Sequence, residues 1–88
     1  SVLGAGSMLP TISKTSTLIL KKYSSSMQLH EGDIIVFQVA GQEHTTVHRI
    51  AGFENGFIQT KGDNNLINDK WTVVPQDIIY LVVGVLYT

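Results

Sequence analysis

No stretch of this sequence carries apolar residues at a sustained helical spacing. β-branched and aromatic segments recur instead, each cut off by a turn signal, and that alternation is what limits the fold. The clearest cut is Asn55-Gly56, because Asn-Gly readily supplies the positive φ angles of a tight hairpin turn. It separates "EHTTVHRIAGF" (43–53) from "FIQTK" (57–61). Upstream, "STLILKKY" (16–23) reads as a strand with a polar end, and "DIIVFQVA" (33–40) as another, dense in residues that favour strands. Gly41-Gln42 reads as the turn between 33–40 and 43–53. "GDNNLINDKW" is a long polar loop, Pro75 breaks the chain before its last segment, and "IIYLVVGVLY" (78–87) reads as a buried strand. Five or six strands with short links predict an all-β fold, an antiparallel sheet curled into a small barrel or sandwich.

Composition narrows what such a fold does. With 88 residues the chain has room for one domain, 1–88, and a domain of this size buries only roughly 60–65% of its unfolded surface. Apolar residues at 43% against charged residues at 15% fit a packed globule rather than a disordered chain. The net charge of −1 comes from scattered groups with no basic stripe, so nucleic acid has no electrostatic footprint here. The chain has no cysteine, which excludes disulfides, thiolate catalysis and cysteine-ligated zinc. No apolar run approaches the ~20 residues of a membrane helix, and no signal peptide opens the chain. Its abrupt start, "SVLGAGSM", reads as a soluble fragment of something longer.

Three segments hold residues that folding alone explains poorly. In "LGAGSMLPTIS" (3–13), Ser7 sits between a flexible Gly6 and a stiff Pro10. Gly6 lets a ligand approach the backbone, and Pro10 restricts Leu9 to an extended form. A nucleophile benefits from such a rigid turn, with its N–H available to an oxyanion. Met8 and Leu9 are read either as lining an apolar groove or as core. In "TVHRI" (46–50), period-two alternation puts His48 on one face with Thr46 and Ile50, and Val47 and Arg49 on the other. Imidazole is the natural base for a serine near neutral pH. His30 and His44 compete, but both fall where water reaches them. His44 and His48 do not converge on a strand, so no metal is expected. In "TKGDNNLINDK" (60–70), Asp63 and Asp69 flank the asparagines; either is a polar turn residue or a carboxylate that orients His48. Serine, histidine and aspartate on three separate segments are what a spatially assembled triad needs.

"GSMLPTI", "GDIIVF", "VHRI" and "TKGDNN…ND" occur in an order and at a spacing that resembles type I signal peptidases. The likeness is to the serine/histidine branch, found in archaea, in the eukaryotic secretory complex and in related Gram-positive enzymes. It runs from Leu3 to about Val85. The resemblance implies a small antiparallel β-sheet core and a membrane-anchored serine endopeptidase, acting outside the cytoplasm, that cleaves signal peptides from precursor proteins after a small residue. It carries the nucleophile to Ser7, the general base to His48, the orienting acid to Asp69 and a supporting acid to Asp63. Gly6, Met8, Leu9, Pro10 and Val47 are the residues expected beside the substrate. No cofactor is implied, and the membrane contact is expected through an N-terminal anchor that this sequence lacks.

The sequence departs from the family pattern in four ways. Ala5 stands where relatives usually carry a serine that helps the oxyanion, which leaves the Ser7 N–H as the main donor; one such donor is worth roughly 3–4 kcal/mol. Asn68 stands where many relatives have a second acid. The insertion of the larger bacterial enzymes and the membrane helix are absent. Lys14, Lys21 and Lys22 are the rivals to His48 as base. Two other readings compete. One is a self-cleaving repressor-type domain, with "VAGQE" (39–43) as its cut site; the other is a β-barrel binding module with an inert Ser7.

Overall fold

The computed structural model describes residues 2, 3 and 6–87. Among these the strands are β1 (Val2–Leu3), β2 (Thr17–Lys22), β3 (Ile34–Phe37), β4 (Thr45–Glu54), β5 (Phe57–Lys61) and β6 (Ile78–Leu86). A single 3-10 turn, Pro75–Asp77, precedes β6, so the fold is mainly β as the turn-punctuated sequence requires. One sheet runs β1-β4-β3-β6-β2, and β5 also pairs β4. Asn55 (φ 51°) and Gly56 (φ 82°) form the left-handed turn between β4 and β5. Gly41 (φ 89°) lies in the β3–β4 connection, which also holds the 39–43 segment.

Strand β4 organises the site because it is long enough to pair with three neighbours. On one edge it meets β3 antiparallel, from Ile34↔Arg49 to Phe37↔Thr46. On the other edge β1 covers Thr45 and Thr46, and β5 covers Arg49 to Glu54. Val47 and His48 fall in the gap between them. The β1–β4 pairing is parallel in an otherwise antiparallel sheet. A tight hairpin dictates antiparallel pairing, but some forty residues join β1 to β4, so no such constraint applies.

Strand β3 is buried on both faces, and alternation sorts its side chains into two clusters. Ile35 and Phe37 pack with Ile50, Ile58, Val73 and Ile78. Ile34 and Val36 pack with Met8 and Val47. A continuous apolar run with no polar alternation is what such a two-faced strand needs. The same logic fails for β6, read from sequence as buried. Only Ile78 is buried along its length, and Val83 and Leu86 are exposed. The reason is its neighbour: β2 is the edge of the sheet and is itself mostly exposed, and β6 shares that exposure where it pairs with β2.

Candidate active site

The parallel register of β1 decides where the residues after it arrive. Leu3 lies beside Thr46, and the chain advances in the same direction as β4, toward His48. Residues 6–12 then fold into consecutive turns, closed by Ile12 N–H donating to Met8 O at 2.9 Å. The Leu9–Pro10 peptide bond is cis. Ser7 Oγ ends 2.9 Å from His48 Nε2.

His48 is 5% exposed and fully engaged. Its Nδ1 lies 2.6 Å from Asp69 Oδ2. A carboxylate only accepts, so Nδ1 carries the proton and Nε2 presents its lone pair to the Ser7 hydroxyl. The Thr60 hydroxyl, wholly buried, donates to the same Asp69 oxygen at 2.6 Å. Asp69 N–H in turn donates to Thr60 O at 2.8 Å, which ties the acid to β5. Two rings flank the imidazole: Phe37 meets it edge-on at 6.4 Å, and Trp71 stacks on it at 6.5 Å with the planes 16° apart.

Asp63 goes elsewhere. It accepts from Arg49 Nε at 2.9 Å and Nη2 at 2.8 Å, and from the Thr11 hydroxyl at 2.6 Å. The Arg49 hydrogen bonds hold its carboxyl well below the usual range, at about 2, against the opposing effect of burial. Arg49 is raised for the same reason, chiefly by its hydrogen bonds to Asp63, and its Nη1 also reaches Gly32 O at 2.7 Å. So the two aspartates that sequence left as alternatives occupy separate sites. One lies against His48, and the other pins the turn after Ser7 to β4.

Of the residues expected beside a substrate, Gly6 and Leu9 line an open pocket of about 300 Å³ together with Ser13, Lys14 and Thr15. Pro10 is exposed. Met8 and Val47 are 2% and 4% exposed and pack in a core cluster, so they offer little surface to a peptide. Ala5 lies outside the described residues. Lys14, Lys21 and Lys22 are exposed, as are His30, His44 and Asn68. Among the described residues no three His, Asp or Glu side chains cluster to hold a metal ion, and no helix is long and apolar enough to cross a membrane.

Sequence reasoning missed two residues that build this site. Asn64 donates from its backbone to Ser7 O at 2.7 Å and from Nδ2 to Gly6 O at 3.1 Å, clamping the serine turn. Gly62 is buried where a Cβ would come 2.6 Å from Ser7 O and 3.1 Å from His48 Nε2. Their signal was the Gly-Asp-Asn run itself, read only for its carboxylate.

The sequence of this chain matches those of known proteins. The family model described as "Signal peptidase, peptidase S26" matches residues 2–79. This chain belongs to the peptidase S26 family of signal peptidases. It is 33% identical over 72 residues to the signal peptidase complex catalytic subunit SEC11 of Clavispora lusitaniae, covering 77% of this chain and 42% of that one. It is 36% identical over 73 residues to SEC11 of Saccharomyces cerevisiae strains, with the same coverage. The chain thus spans about two-fifths of the length of these curated relatives. No solved structure matches it significantly.

Proposed function

We propose that this S26 chain is the catalytic core of a serine endopeptidase that removes signal peptides from precursor proteins, cutting after a small residue. Ser7 is the nucleophile, His48 the general base and Asp69 the acid that orients it. The observation that carries the reading is the unbroken chain from Ser7 Oγ through His48 to Asp69, at 2.9 and 2.6 Å. As the hydroxyl attacks the scissile carbonyl, Nε2 takes its proton, and Asp69 stabilises the imidazolium that forms. His48 then protonates the leaving amine, an acyl-enzyme remains on Ser7, and water activated by the same base releases it. Asp63 supports the serine turn and takes no part in proton transfer.

The family and the SEC11 relatives, named as catalytic subunits of a signal peptidase complex, support this substrate class. Action at a membrane, on its extracytoplasmic side, is part of the same proposal. The test is turnover of a precursor-derived peptide by Ser7→Ala, His48→Ala and Asp69→Asn. Turnover disappears in the first two and falls by about 10⁴-fold in the third. Near-native cleavage by His48→Ala overturns the assignment. The pH profile adds a second check, since activity falls on acidification as the base becomes protonated.

A further inference from the structure

We propose that Trp71 is a positioning residue for His48: its indole packs against the imidazole and holds the plane of that ring. The inference rests on the proposed triad, and adds to it a residue that acts through His48.

The segment carrying Trp71 is fastened to β5 two residues on either side. Before it, Asp69 N–H donates to Thr60 O at 2.8 Å. After it, Val73 exchanges both backbone hydrogen bonds with Ile58, at 2.7 and 2.9 Å, and is fully buried. The indole between these ties packs partly buried against the cluster of Ile35, Phe37 and Ile58. Its Nε1 is buried and finds no acceptor among the described residues, so no hydrogen bond directs the ring. Held by that packing, it stacks beside His48 with 6.5 Å between centroids and planes 16° apart, within the range of an offset aromatic pair. Phe37 meets the imidazole edge-on, so aromatic contacts fix the plane in which Nδ1 points to Asp69 and Nε2 to Ser7.

The other groups around the imidazole are few. Among the described residues Asp69 is the only acid on it, Ser7 brings a hydroxyl to the ring, and Thr60 brings one to Asp69. Strand β3 brings no charge. Lys61 of β5 turns its ammonium to the carbonyls of Gly62 and Asn65 at 2.8 and 2.7 Å.

Trp71 is the sole tryptophan, which gives the unmodified chain its own reporter. An imidazolium stacked on indole quenches its emission by accepting charge from the excited ring, and the neutral imidazole does so far less. Emission at falling pH drops through a single transition that His48→Ala abolishes and His30→Ala and His44→Ala leave in place. In Trp71→Leu kcat falls by about threefold to tenfold with KM little changed, and Trp71→Phe restores most of it. An emission curve unchanged by His48→Ala, or a kcat unmoved in Trp71→Leu, overturns the proposal. The emission titration does not depend on cleavage, so failure of the triad in the Ser7 and His48 variants reads out separately.

Discussion

Gly62→Ala is the smallest change that separates Ser7 from His48. The added Cβ would lie 2.6 Å from Ser7 O, 2.8 Å from Asn65 Nδ2 and 3.1 Å from His48 Nε2. Ordinary contact begins near 3.4 Å, so the serine backbone must retreat by about 0.8 Å and the imidazole by about 0.3 Å. The Asn65 amide is the end of a side chain and moves cheaply, but Ser7 O is backbone and accepts the Asn64 N–H at 2.7 Å. Moving it carries the nucleophile away from a base that sits only 2.9 Å from Oγ, to or past the limit of a hydrogen bond. A misplacement approaching 1 Å at a reacting group costs on the order of 100-fold in rate. Overpacking at a buried site costs about 1–3 kcal/mol, and each kcal/mol lowers the Tm of a domain this size by about 4–8 °C. The assay is kcat/KM on a precursor-derived peptide, measured well below the variant's own Tm, alongside urea unfolding. Full activity with an unchanged Tm would refute the close approach of the Gly62 loop to the serine turn, and with it the geometry of the candidate site.

Three further outcomes follow from the same network. Asp63→Asn lowers stability at pH 7 by about 1–2 kcal/mol, the worth of its depressed pKa discounted for screening at the half-exposed Arg49, as read by urea unfolding. Because the folded pKa lies below the unfolded one, that stability is fully present above about pH 4 and is lost as pH falls toward about 2. The native chain therefore loses stability across that window, and Asp63→Asn loses correspondingly less. Thr60→Val removes a buried donor from Asp69 Oδ2 and costs about 1–3 kcal/mol in unfolding experiments, together with a fall in kcat that Thr60→Ser recovers.

What was legible in the sequence was local. The Asn55-Gly56 turn, the bounds of β5 and the opposite facing of His48 and Arg49 all follow from turn chemistry and the period of two. The parallel docking of β1 and the exposure of β6 were not legible, because each depends on what lies beside a strand rather than on the strand itself. Trp71 was hidden for the same reason: a tryptophan at the end of a polar loop carries no sign that an imidazole lies beside it.

The choice between the two aspartates shows how local rules and topology combine. His48 and Arg49 are neighbours on β4, so pleating sends them to opposite faces of the sheet. His48 faces the cluster of Phe37 and Ile50; Arg49, like Val47, faces away. The loop after β5 starts beside Arg49, where Lys61 is its register partner, and it drops Asp63 there at once. It then crosses to the other face and returns to β5 at Thr60, the partner of Ile50, which brings Asp69 to the histidine face. Exchanging the roles would require each carboxylate to cross the sheet. The cation-paired acid is therefore the one beside the loop's departure, and the imidazole-paired acid the one at its return. A chain with Asp63 and Asp69 both changed to Asn should show losses in stability and in kcat that add nearly independently, since the two acids share no partner. Strong coupling between them, measured as a double-mutant cycle, would mean that the sheet does not insulate one face from the other.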